Sequence, residues 1–155
     1  MDVPNKFWTE EDASELSRAK TFEVMAVVAL RVIARMPQPV GQVCGPITTG
    51  GTGSLEKNLE IFRRIIIALS VSGTSIFDQL PFEPSIRRVR NWEYSAGGLR
   101  LLEGFYLPIF KSGLIQRLYF IHGWESSLGA RWEHERALEL GISVEYLPVG
   151  FGGAA

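Results

Sequence analysis

Glu133 is the charged residue placed most suggestively for chemistry. It follows Ser127 in SSLGARWE and shares helical spacing with Ala130, Ala137 and Leu140. On a helix that spacing turns it toward the apolar side, where a carboxylate could attack an electrophilic sugar carbon. The competing reading makes it part of the solvated run Glu135, Arg136 and Glu139. A second group is the loop GPITTGGTGS, in which Gly45, Gly50, Gly51 and Gly53 permit close backbone approach to a ligand and Ser54 can cap a helix. This loop and a second one, Gly123 to Arg131, could hold an anion or a sugar, or simply make turns and caps. Trp92, Tyr94, Trp124 and Trp132 could stack on a base or pack in the core. The arginines of SIRRVRNW could meet a phosphate or stay solvated. His122 and His134 lie 12 residues apart with one cysteine, Cys44, in the chain, a poor set for a metal site. Neither a metal nor a cofactor is expected.

These groups need elements to position them. Thr9 followed by Glu10, Glu11 and Asp12 reads as a capped start to one long helix over 9–36, ended by Pro37 and Pro39. Its apolar residues cover more than one face, so it needs cover on two sides, from the sheet and from either a second copy or an internal helix. A homodimer or higher homo-oligomer is expected. Short apolar runs at 41–44, 74–77, 118–121 and 142–146 read as strands. Helices are expected over 55–69, 98–113 and from Ser126 or Ser127 to Leu140, with Gly73 and Gly141 as stops. Residues 78–97, with Pro81 and Pro84, read as a long surface excursion. Alternating strands and helices predict a doubly wound, Rossmann or flavodoxin-like α/β fold of three layers with a short parallel sheet. In such a sheet ligands sit beyond the carboxyl ends of the strands, so the loops 45–54 and 123–131 should meet there.

Composition sets the outer bounds. A chain of 155 residues, 46% of them hydrophobic, can build one core, so 1–155 is expected to be a single domain. Sixteen Lys and Arg against 17 Asp and Glu offer no general pull toward a nucleic acid polymer or an anionic membrane. One cysteine excludes an internal disulfide and fits a reducing compartment, and the acidic start lacks the basic region of a signal peptide. No run approaches the roughly 18 apolar residues of a membrane span. A cytoplasmic protein is expected.

The segments VCGPITTGG and GWESSLGARWEHERALELGI together resemble the nucleoside 2-deoxyribosyltransferase-like family, which includes deoxynucleoside 5'-monophosphate N-glycosidases, over residues 40–147. The resemblance implies a small-molecule nucleoside or nucleotide as partner and cleavage or transfer at its N-glycosidic bond. It implies that Glu133 is the nucleophile at C1' of deoxyribose. Gly45, Pro46, Ile47 and Thr48 would lie in the loop that contacts the nucleoside, and Ser127 with the amides around Gly129 and Ala130 would hold the 5' hydroxyl or phosphate. The pattern departs from the family at Ile109 and Arg117, which stand where acidic residues are expected. Asp78, Glu83 and Glu103 are the nearest substitutes as proton donor. A noncatalytic domain binding a nucleotide-like ligand is the alternative.

Overall fold

The computed structural model describes residues 2–92 and 98–153, the side chains of Asn91 and Trp92 excepted. Its centre is a three-stranded parallel sheet in the order β1 (Val40–Cys44), β2 (Ile115–Phe120), β3 (Ser143–Tyr146). Strand β1 is buried along its whole length, Gln42 included, and its other residues are apolar or glycine rather than alternating. The stretch expected as a strand at 74–77 contributes only a single bridge, Ile76 to Gly41. The structure is thus a mixed α/β fold with a small parallel sheet.

Helix α1 (Glu10–Arg18) starts at Thr9, whose hydroxyl accepts from the Asp12 amide at 3.0 Å while the Asp12 carboxylate accepts from the Thr9 amide at 3.0 Å. Helix α2 (Phe22–Ala34) has its own cap, Thr21. The single helix expected over 9–36 is therefore two. Ala19 and Thr21 are extended, Thr21 Oγ1 takes the Val24 amide, and Arg88 donates to the carbonyl of Ala19 at 2.7 Å, so both broken ends find partners. Asp12 then ties the pair together by accepting from Arg31 and Arg35.

Helices cover both faces of the sheet. Helix α3 (Leu55–Val71) lays Phe62, Ile65, Ile66 and Leu69 against Val43 and Tyr119. On the other face Val40, Cys44, Leu118 and Phe120 join a larger core with Met25, Ala29 and Ile33 of α2. Residues 78–97 are not one irregular excursion: Leu80–Phe82 form a 3-10 turn that leads into α4 (Glu83–Trp92). Pro81 and Pro84 lie in first turns, where the missing N–H costs nothing, and Phe82, Ile86 and Val89 bury one stripe. Residues 93–97, Tyr94 among them, lie outside the described residues, as does the Trp92 side chain. The helix expected over 98–113 is present in three pieces: α5 (Leu99–Leu101), a π-turn (Leu102–Tyr106) and α6 (Leu107–Lys111). Helix α7 (Leu128–Leu140) runs from the Ser127 cap to Gly141, whose φ of 72° ends it. No helix among the described residues is long and apolar enough to cross a membrane.

Candidate functional site

The chain leaves β1 at Gly45, where a Cβ would lie 2.7 Å from Ile121. Only glycine lets the loop turn so close to the end of β2. Farther along, Gly50 has φ 72°, and a side chain there would meet the Ser126 carbonyl. The loop is held from below by Asn58, in the second turn of α3. Its Nδ2 donates to the carbonyls of Ile47 at 2.9 Å and Gly50 at 3.3 Å, and its Oδ1 accepts from the Thr52 amide at 3.0 Å. The loop then reaches the second one directly. The Gly51 amide donates to Ser126 Oγ at 2.9 Å, and the Leu128 amide donates to Thr49 Oγ1 at 3.2 Å. The approach expected from the sheet's topology is present.

Between the loops, α4 and the π-turn lies a cleft that opens to solvent. Gly45, Ile47 and Thr48 line one side and Ser127, Gly129 and Ala130 another. Glu133 stands at its inner end and is 6% exposed. Pro46 lies elsewhere, in a neighbouring hollow beside Asn58 and His122. Trp124 is outside the cleft too, stacked on His134 with ring centroids 4.4 Å apart. Its ring closes over the aromatic group of Phe120, His134 and Tyr146, so the local packing already uses the face that would stack on a base. Trp132 packs against Phe110 and under Arg136.

Burial raises the Glu133 carboxyl to about 8, with the hydrogen-bonded Cys44 thiol pulling weakly the other way. Cys44, at the end of β1, is itself buried, and burial first and the Glu133 charge second push its thiol up. The cleft is also lined by Glu83, the first residue of α4, which is likewise 6% exposed. Burial raises its carboxyl, partly offset by the charges of Arg87 and Arg90. Of the three substitutes named above, Glu83 alone lines the cleft; Asp78 is occupied with the Leu80 amide and Glu103 is exposed. Tyr106 of the π-turn lies within the field of both carboxyls, and its phenol is pushed up by burial and then by Glu83 and Glu133.

The lining also includes Arg90, one of the arginines read as able to meet a phosphate, and two polar residues that the sequence reading did not single out, Gln79 and Tyr106. Arg90 belongs to the basic stretch, and its neighbour Arg88 instead binds the end of α1. The available signal was the spacing Phe82, Ile86, Val89, which would have made 83–92 a helix and placed Gln79, Glu83 and Arg90 near one face. Nothing local marks Tyr106, because its position depends on the wider π-turn. No protein-family model matches the chain, and no curated protein or solved structure matches it.

Proposed function

We propose that this protein cleaves the N-glycosidic bond of a nucleoside or nucleoside 5'-monophosphate, or transfers its deoxyribosyl group, with Glu133 as nucleophile. The observation that carries the reading is Glu133 buried at the inner end of a cleft that it shares with Glu83. In the first step a Glu133 oxygen bonds to C1' as the bond from C1' to the base nitrogen breaks, and the leaving nitrogen takes a proton from Glu83. In the second, water or another base attacks C1', giving its proton to the Glu83 carboxylate and freeing Glu133. No cofactor is needed. The resemblance to the nucleoside 2-deoxyribosyltransferase-like family supports the same assignment, as does the cover of helices on both faces of the sheet, which fits a doubly wound, three-layer fold.

One observation favours a second reading. With its carboxyl raised by burial to about 8, Glu133 keeps its proton at neutral pH. A neutral acid is a hydrogen-bond donor rather than a nucleophile, and a noncatalytic domain that binds a nucleotide-like ligand would use it so. Chromatography of free base released from deoxynucleosides and their 5'-monophosphates, with and without an acceptor base, separates the two. Catalysis predicts release with a bell-shaped pH dependence, since Glu133 must be ionised while Glu83 keeps its proton, and its loss in Glu133→Gln. Nucleotide binding without release from either protein would leave the second reading.

The same proposal places the protein in the cytoplasm as a homodimer. Val24 and Val27, exposed on α2, supply an apolar patch that a second copy would cover. Light scattering should give twice the chain mass, and a monomer at working concentration would count against the dimer.

A further inference from the structure

Tyr106 lines the cleft and is 5% exposed. Its ring stands edge-on to Phe105 with centroids 4.8 Å apart and lies 6.3 Å from Phe110, in a cluster that Phe82 completes. A phenylalanine would fill that place equally well, so the hydroxyl needs a reason of its own. Its oxygen makes no hydrogen bond among the described residues, yet it is not sealed from solvent. With the rest of the side chain buried, it opens on the cleft. Gln79 differs. Its Nε2 donates to the Val43 carbonyl at 2.8 Å, and its unpartnered Oε1 is closed off from solvent, so neither atom is offered to a ligand.

The backbone aims the phenol. At Gly104 a Cβ would lie 2.7 Å from Glu23 Oε2 and 3.1 Å from Phe22 Cβ, so the π-turn is pressed against α2 at that residue. Two residues on is roughly half a turn round a helix, which sets Tyr106 on the opposite side. Wide turns of this kind are rare and recur at functional sites. The surroundings agree. Burial first, then the charges of Glu83, Glu133 and Cys44, push the phenol up, with Arg90 opposing. Those groups belong to α4, α7 and β1, and two of them are the carboxyls assigned as nucleophile and acid. The phenol keeps its proton at neutral pH and meets a ligand as a donor.

We infer that Tyr106 is a further residue in contact with substrate: its hydroxyl donates to an acceptor on the nucleoside part of the ligand, at the end of the cleft where Glu133 meets C1'. The inference rests on the reading of the cleft as a nucleoside site. It adds a residue from the π-turn, outside the two segments that carry the family resemblance.

Tyr106→Phe removes the oxygen and keeps the ring. Binding of the common 2'-deoxynucleosides and their 5'-monophosphates is followed by calorimetry on the full chain, with kcat/KM for base release taken in place of affinity where turnover occurs. For ligands that bind the wild type, the variant should lose roughly tenfold. Inorganic phosphate should bind both proteins alike. The ligand-free variant should unfold in urea at a midpoint no lower than that of the wild type, because no bond within the protein is removed. Unchanged affinity and turnover would overturn the inference and leave the nucleoside reading standing. A matching loss for inorganic phosphate would put the contact on the phosphate, and a clearly lower unfolding midpoint would make the hydroxyl a structural group. Either result would overturn the inference too. Wild-type protein that binds none of these ligands would overturn it together with the nucleoside reading.

Discussion

Glu133 is where the candidate chemistry and the stability of the protein are in conflict. Its carboxyl has an ordinary value of 4.5 and sits at about 8 when folded. Between those values the folded state holds a proton that the unfolded state has released, so stability falls as pH rises through that window and levels off above it. Glu133→Gln removes the titration. The variant should match the wild type near pH 4 and exceed it by on the order of 4 kcal/mol at pH 8, measured by urea unfolding across pH. Equal stability of the two at pH 8 would mean that water already reaches the carboxylate. Asp12 runs the opposite way. Burial alone would raise it, but the Thr9 amide, Arg35 and Arg31 outweigh burial and hold it at about 2, below its ordinary 3.8. Its contribution is present above pH 4 and lost as pH falls through 2, and Asp12→Asn should cost about 2 kcal/mol at pH 7 by the same measurement. Glu133, Ser54 and Ser127 were legible in the sequence because helical spacing and capping are local rules. Gln79 and Tyr106 were not, since each acquires its role from a neighbour distant in the chain.

Helix boundaries show where local rules give way to packing. Thr9, Ser54, Ser127 and Gly141 mark ends that the structure keeps. The break between α1 and α2 has a cap in Thr21, but the apolar stripe runs on through it, and the docking of Arg88 against the carbonyls of Leu16 and Ala19, with Ser85 also donating to Leu16, makes ending α1 there inexpensive. Arg88→Ala should therefore destabilise the protein by about 1 kcal/mol and speed amide exchange selectively in α1. Uniform acceleration across all helices would contradict this account. Helix α4 was missed for the reverse reason. Two prolines and three arginines suggest a loop by composition, while the stripe of Phe82, Ile86 and Val89 becomes decisive once the core is there to receive it. This helix matters most for the candidate site, since it supplies the second carboxyl.

For the molecule as a whole, a small sheet carries two unequal apolar layers. The layer with α3 depends on few side chains, Phe62, Ile65, Ile66 and Leu69 among them. Ile65→Ala, which alters no residue lining the cleft, should cost roughly 2–5 kcal/mol in unfolding free energy while leaving ligand affinity of the folded protein unchanged. A loss of affinity would mean that the layer transmits strain to the glycine loop. The parallel sheet and the meeting of its loops followed from alternation of strands and helices, whereas the expected strand at 74–77 shrank to the Ile76 bridge because the chain turns there into Gln79 and α4. The loop junction itself has a consequence in time. Gly51 and Leu128 are each held across it by one exposed hydroxyl, of Ser126 and of Thr49. Bonds of that kind open locally far more often than the strands beneath them separate. The junction is therefore expected to behave as a fast latch, one bond of which, Leu128 to Thr49, lies in the wall of the cleft while the other, Gly51 to Ser126, borders the neighbouring hollow.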